Sequence, residues 1–262
     1  MAEHSAVVRR SRTETALRWV AALTAVLSLI FAMQKLIQTV GEDNDRQRRV
    51  AEFSQVASLQ RLAGDFASAW DSSEAALKAA ESGGAFAKMF RRVDQQTQDL
   101  RAERQDLAMD WLRNARASGA QTFTSLVGKV LPALDQGAAA ASGPRKADLL
   151  AHIGWAYFLR GREGHSGGDP RRTYELALQA DADNPFAHAF LGHLLAWQGG
   201  DLQDAQQHFT TALAAGRERP FVRTMQLAAL RNRGSSGDAG YDDVIADMLR
   251  NNETIPEGAR RR

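Results

Sequence analysis

The sequence predicts an all-helical protein in which helical hairpins follow a single membrane-spanning helix. Apolar residues recur every three or four positions along most of the chain, the periodicity of amphipathic helices. Dipeptides that break helices, such as Asn184-Pro185 and Gly199-Gly200, separate these segments. The chain of 262 residues holds only three tyrosines and few runs of β-branched residues, so its composition does not favour a sheet.

The predicted membrane helix centres on an uncharged stretch from Trp19 to Met33, bounded by Arg18 and Lys35. A bilayer core needs about 20 apolar residues, with about 17 as the lower range. The two flanking cations can reach the interfaces with their long side chains, so a span within residues 16–40 is feasible. A cleaved secretory signal and a buried helix are the alternatives. The first lacks a good small-residue cleavage site, and the second is disfavoured because the stretch has no polar face.

The sequence says less about the direction in which this helix crosses the membrane, because four basic residues lie close to each end of the span. Those before it are nearer and lie among fewer acidic residues, since Glu14 alone separates them whereas Glu42, Asp43 and Asp45 lie among those after it. We therefore expect a bacterial inner-membrane protein with its N-terminus in the cytoplasm and its helical hairpins in the periplasm. The reverse orientation remains the alternative.

Three segments repeat one arrangement of large and small residues. The last contains Leu191, Gly192 and Leu195, followed by Ala205, Phe209 and Ala212. An earlier segment has the same phase, with Leu150, Ile153, Gly154, Tyr157, Tyr174 and Ala177. The first begins near Val50 and has Phe53, Val56, Ala57, Ala69 and Ala76. Together these segments resemble the tetratricopeptide repeat (TPR), a hairpin unit of about 34 residues.

The TPR resemblance implies a TPR-like helical-hairpin array, an α-solenoid in which neighbouring units bury each other's apolar faces. Glycine and alanine are favoured where the two helices of a hairpin touch. Gly154 and Gly192 would each cost about 1 kcal/mol relative to alanine inside a helix. A close contact between helices is the simplest compensation, and we expect one at each glycine.

The domain organisation follows from these patterns and from the turn residues between them. We expect a disordered tail (1–15), a transmembrane anchor (16–40), a linker (41–49), a first hairpin (50–82), a degenerate helical insert (83–143), hairpins with capping helices (144–250) and a disordered basic tail (251–262). Within the insert, Phe86 and Phe90 begin a long helical pattern, and Pro132 predicts a kink or a restart of the following helix.

Enzymatic chemistry is not predicted, and we expect no cofactor. Residues 164–168 match the G-x-S-x-G pattern of serine hydrolases, but the match lies in a turn between helices instead of after a strand. The six histidines lack the spacing of metal ligands, and cysteine is absent, so no metal site is expected. The net charge of +2 is spread without a basic cluster outside residues 1–40, so nucleic acid is not an expected partner.

The TPR resemblance also implies a binding surface, because the first helix of each unit lines a concave groove. The candidate partner-binding residues at such positions are Trp155, Phe158, Phe186, His193 and Trp197. The charged clamp residues of some family members are missing there, which favours an apolar or aromatic peptide. The alternative is that the insert helix covers this face, so that the aromatic residues belong to the core.

Together with the predicted membrane helix, the resemblance indicates a membrane-anchored scaffold that binds a protein or peptide partner through its concave face. A second hypothesis is a structural subunit that self-associates through residues 83–143 as a homo-oligomer within a bacterial envelope complex.

Overall fold

Every regular element in the described part of the chain is an α-helix. The computed structural model describes residues 2–82, 92–115, 122–232 and 238–256, and no strand occurs among them. Its helices are α1 (Ala2–Leu62), α2 (Phe66–Glu81), α3 (Arg92–Asn114), α4 (Phe123–Ala140), α5 (Gly143–Gly161), α6 (Pro170–Ala180), α7 (Pro185–Trp197), α8 (Leu202–Ala214), α9 (Arg219–Asn232) and α10 (Asp238–Arg250). The all-α prediction is confirmed for these residues. Phe86 and Phe90 lie outside them.

Helix α1 is longer than the sequence suggested, since residues 2–15 and 41–49 are helical instead of a tail and a linker. Residues 41–49 are polar, but the spacing of their charged side chains is well suited to a helix. Gln38 donates to Glu42, and both Arg46 and Gln47 donate to Asp43, at spacings of three or four residues. The large apolar side chains between Leu23 and Val40 are exposed. This one N-terminal helix is long and apolar enough to span a membrane.

The chain divides into two compact units, Met1–Leu100 and Arg101–Arg262. In the first, α1 and α2 form the predicted antiparallel hairpin. Val50 packs with Ala76, Ala80 and Leu100. The turn contains Gly64 at φ 79°, where glycine avoids steric strain.

A buried arginine connects the helices of this first unit. Arg46 is only 4% exposed and pairs with Asp43 at 2.8 Å. Its Nη1 also donates to the Ala80 carbonyl at 3.4 Å and to Gln96 Oε1 at 3.2 Å. Carbonyls in the last turn of a helix lack intrahelical donors, so Arg46 satisfies one at the end of α2 while joining α1 to α3.

The second unit is a series of antiparallel hairpins with capped helix ends. Helix α4 continues through Pro132 without restarting and returns as α5. The Glu163 carboxylate then accepts from the Phe123 and Thr124 amides at 2.7 and 2.8 Å, which closes this hairpin at the start of α4. Asp169 and Asn184 cap α6 and α7, each directly before a proline, and the second cap lies at the predicted break Asn184-Pro185.

The two glycines predicted to permit close helix packing do so. A Cβ on Gly154 would lie 2.5 Å from Cε1 of the Tyr174 ring on α6. A Cβ on Gly192 would lie 2.9 Å from the Ala205 carbonyl oxygen and 3.1 Å from the Phe209 ring on α8. Both separations are shorter than van der Waals contact. The α5–α6 and α7–α8 hairpins therefore close around the same kind of contact.

Helices α5, α7 and α9 lie side by side in parallel. The ring pairs His152–Phe186, Trp155–Phe190, Phe158–His193 and Phe186–Phe221 each join residues 34 or 35 positions apart. Four other ring contacts between these helices join residues 31 to 39 positions apart. Corresponding positions along the three helices thus lie next to each other.

The C-terminal end is more ordered than predicted. Residues 251–256 were expected to belong to a disordered tail, but Glu253 accepts from Arg223 Nε at 2.8 Å and Ile255 packs against the α9–α10 core. Arg223 is only 3% exposed and also pairs with Asp247. A buried guanidinium needs carboxylate partners, and the chain after α10 provides one. Residues 257–262 lie outside the described residues.

Replacing glycine by alanine should destabilise the protein where the glycine touches a neighbouring helix and stabilise it where the glycine has free space. Gly154→Ala and Gly192→Ala should each lower the free energy of unfolding by about 1–3 kcal/mol, because the added methyl overpacks the hairpin. Gly128→Ala is the matched control, since that helical glycine has no atom within 4 Å of an added Cβ. It should raise the stability by about 0.5–1 kcal/mol through helix propensity. Urea unfolding followed by circular dichroism measures all three, and uniform stabilisation would contradict the packing role.

Candidate functional site

Four of the five residues proposed for an open groove are buried. Trp155 is 9% exposed, Phe158 5%, Phe186 5% and His193 6%, whereas Trp197 is 45% exposed. The structure does bring the five side chains together on α5 and α7, as predicted. Their burial corrects the expectation of an open binding face and favours the alternative in which most of them form core.

Helix α3 covers this face. The Trp155 indole Nε1 donates to the Leu112 carbonyl at 3.2 Å, and Arg113 places its guanidinium 4.9 Å from the centre of the Phe186 ring. The side of α3 that carries Trp111 and Leu112 is itself buried. These apolar residues were visible in the sequence, but they could not show which surface they would cover.

Phe190 is a central residue of the cluster that sequence reasoning missed. It is fully buried and stacks on Trp155, with ring centres 4.7 Å apart and planes 11° apart. Phe158 stacks on the same indole at 4.9 Å, and His193 meets it edge-on at 5.5 Å. Such stacked and edge-on pairs contribute stability beyond area burial. The continuous apolar character of α7 was the available signal, since a helix buried on all sides has no polar face.

His152 is a fully buried histidine held in its neutral form. Burial, reinforced by the nearby Arg113 guanidinium, lowers its pKa to about 3. Nδ1 lies 2.6 Å from the Asp148 carbonyl oxygen, so this nitrogen carries the proton and donates. Nε2 can then accept from Arg113 Nη1 at 3.4 Å. The ring therefore serves as a polar core residue that joins α5 to α3.

His193 is also neutral within the cluster. Burial lowers its pKa to about 4, against the effect of a hydrogen bond with the Met225 backbone. Its ring is edge-on to Trp155 and Phe158, both 5.5 Å away. The environment suits a packed imidazole at the junction of α5, α7 and α9 more than a residue presented to a partner.

Only the far end of the cluster reaches solvent. There the Arg162 guanidinium lies 5.0 Å from the Trp197 ring centre and 5.7 Å from that of Phe123. Phe158 supports Trp197 from beneath, edge-on at 5.8 Å. Arg162 is exposed, so its charge faces solvent beside the two rings. We call Trp197 and Arg162 the Trp197 surface.

The G-x-S-x-G segment belongs to the turn between α5 and α6, where Gly164 and Gly168 have positive φ values of 80° and 127°. No group of three or more His, Asp or Glu side chains in the described part could hold a metal ion. A cavity of about 460 Å³ lies among α8, α9 and α10, and two of its charged lining residues, Arg223 and Asp247, form an ion pair with each other.

Truncating the two tryptophans separates the core from the surface. Trp155→Ala should lower the free energy of unfolding by about 3–5 kcal/mol, because it leaves a cavity in a packed cluster. Trp197→Ala should lower it by about 1 kcal/mol, the scale of one exposed aromatic and cation contact. Urea unfolding of the full chain in detergent gives both values. Comparable losses in the two variants would contradict this division of the cluster.

The lowered histidine pKa values predict a loss of stability in mild acid. The His152 pKa falls from 6.5 in the unfolded chain to about 3 in the folded one, so between these values the unfolded state binds more protons. The free energy of unfolding should therefore decrease as the pH falls below about 6.5, with His152 contributing up to about 1.4 kcal/mol per pH unit. His152→Gln keeps a donor and an acceptor but cannot titrate. Urea titrations at several pH values should show a shallower pH dependence for this variant, and an unchanged slope would contradict the assignment.

Comparison with models of protein families, with curated proteins and with solved structures gives no match to this chain.

Proposed function

We propose that this chain is a membrane-anchored, TPR-like scaffold whose helical hairpins bind a protein partner. The observation that carries the proposal is the parallel packing of α5, α7 and α9, in which four ring contacts join residues 34 or 35 positions apart. The contacts at Gly154 and Gly192 support it, since they occupy equivalent positions of two successive hairpins. Repeat proteins of this class recognise partners with surfaces formed across neighbouring units.

The proposed location is the bacterial inner membrane. The exposed apolar segment of α1 supports the anchor, because its large side chains from Leu23 to Val40 have no protein to cover them within the described structure. We propose that the N-terminus is cytoplasmic and the hairpins are periplasmic. Alkaline phosphatase is active only in the periplasm, so a fusion at the C-terminus should be active. An inactive fusion that is expressed at a normal level would reverse the orientation.

The Trp197 surface is the proposed contact with the partner. Tryptophan and arginine are the residue types most often found at interaction hot spots, and here they lie side by side in solvent. Phe158 supports the indole from beneath, so little conformational freedom would be lost when a partner packs on it. The exposed guanidinium adds a positive charge. This combination fits a segment with an apolar or aromatic residue next to an acidic one.

Photo-crosslinking in intact cells tests the proposal directly. A photoreactive phenylalanine at position 197 of the full-length chain should trap one discrete foreign protein. The same group at Leu176 is the matched control, since that side chain is 40% exposed on α6 but lies outside the Trp197 surface. A partner trapped at position 197 should be lost when Arg162 is replaced by alanine. Equal crosslinking from both positions, or none from position 197, would contradict the assigned surface.

The same experiment addresses the second hypothesis, a self-assembling structural subunit. Crosslinks from position 197 to a second copy of this chain alone would favour it over a scaffold for foreign proteins.

A further inference from the structure

The cavity among α8, α9 and α10 has the size of a site for a small molecule. Its volume is about 460 Å³, and cavities that bind small ligands usually measure about 300–1000 Å³. All three helices contribute polar side chains to it, among them Gln206 and Thr210 on α8, Arg223 and Gln226 on α9 and Asp243 on α10. Those of α9 are buried and the other three are exposed, so the cavity has an enclosed floor and an open mouth.

Arg223 makes the floor of this cavity rigid. The residue is only 3% exposed, its Nε donates to Glu253 at 2.8 Å, and its Nη2 pairs with Asp247. Its Nη1 donates to Gln226 Oε1 at 3.0 Å, which fixes the orientation of that amide. An amide has two donors on its nitrogen, so Gln226 Nε2 can donate to a molecule held in the cavity.

Three guanidinium groups line the cavity and share two carboxylates. Arg219 and Arg223 both pair with Glu253, and Arg223 and Arg250 both pair with Asp247. At neutral pH this network therefore carries one net positive charge. Arg250 is the least tightly held of the three, since its side chain is 70% exposed and its Nη2 lies 3.3 Å from Asp247. Its guanidinium is the group that can best receive the negative charge of a ligand.

Asp243 brings a negative charge to the same cavity. It is exposed and lies seven residues before Arg250 on α10. Seven residues are close to two helical turns, so both side chains project from one face of the helix, at positions about 10 Å apart along its axis. A purely anionic ligand would be repelled by Asp243, and a purely cationic one by Arg250. A zwitterion can meet both charges.

Part of the lining is aliphatic. Leu213 and Ala214 on α8 and Val244 on α10 contribute apolar surface to the cavity. An aliphatic group of the ligand would gain free energy by removing this surface, and its own, from water. The lining thus fits a small molecule that carries an ammonium group, a carboxylate and an aliphatic side chain.

We propose that this cavity binds a free aliphatic amino acid such as leucine. The ammonium group would pair with Asp243, the carboxylate with Arg250, and the side chain would lie against Leu213 and Val244. The bound amino acid would then connect α8 to α10. This site is separate from the proposed scaffold function, because it shares no residue with the Trp197 surface.

Isothermal titration of the full-length chain in detergent with L-leucine tests the proposal. We expect saturable binding of one leucine per chain, with a Kd on the order of 100 µM. L-Leucinamide lacks the carboxylate and N-acetyl-L-leucine lacks the ammonium group, so each should bind at least about tenfold more weakly than leucine. This comparison uses the unmodified chain and does not depend on how any variant folds.

Asp243→Asn and Asp242→Asn form a matched pair of variants, because both residues are exposed on α10 but Asp242 does not line the cavity. Asp243→Asn should weaken leucine binding by about tenfold or more, while the affinity for N-acetyl-L-leucine stays nearly unchanged. Arg250→Gln should likewise weaken the binding of leucine but not that of leucinamide. Asp242→Asn should bind leucine as the unmodified chain does.

Three results would overturn the proposal. The first is the absence of saturable binding of leucine, isoleucine and valine up to about 10 mM. The second is equal binding of leucine and its two analogues, and the third is an equal loss of affinity in Asp242→Asn and Asp243→Asn. Photo-crosslinking from position 197 should be unaffected by Asp243→Asn, so failure of this site is distinguishable from failure of the scaffold.

Discussion

The close approach of paired helices at Gly154 and Gly192 is the constraint on which the second unit depends. Because neither position has a side chain, the Tyr174 and Phe209 rings enter the space between the helices of each hairpin. Tyr174 is fully buried and lies against Phe190, with ring centres 5.8 Å apart. The contact within one hairpin therefore also sets the surface on which the next hairpin packs. Each glycine lowers the stability of its own helix, and the packing of a large ring against it compensates for this loss.

The parts of the fold that could be predicted from sequence are those encoded over a few neighbouring residues. The turns at Asn184-Pro185 and Gly199-Gly200 lie where expected, because capping and turn chemistry act within one helical turn. The glycine contacts were predictable for a different reason. A glycine inside an otherwise strong helical pattern needs a compensating interaction, and the TPR resemblance indicated which one.

The parts that could not be predicted depend on contacts between distant segments. The sequence places apolar residues on α3, but it does not show that Leu112 would receive the Trp155 indole. The order of the C-terminal segment was missed for the same reason, because it depends on a contact with a residue that is distant in sequence. Glu253 looks like part of a polar tail until the buried Arg223 guanidinium is found beside it. The polar stretch at residues 41–49 was also predicted to be less ordered than it is, because charged residues at three- and four-residue spacing are as compatible with a helix as with a linker.

If the chain is the scaffold proposed above, the division of the aromatic cluster would let its binding surface change without loss of the fold. Trp155, Phe190 and His193 are enclosed, so substitutions there act first on stability. Trp197 belongs to the same contiguous cluster through Phe158, but its outer face is free. A substitution at this position would alter the surface while leaving the enclosed rings packed against one another. The buried rings thus provide a rigid support, and the specificity of binding can be determined by the few side chains at its exposed end.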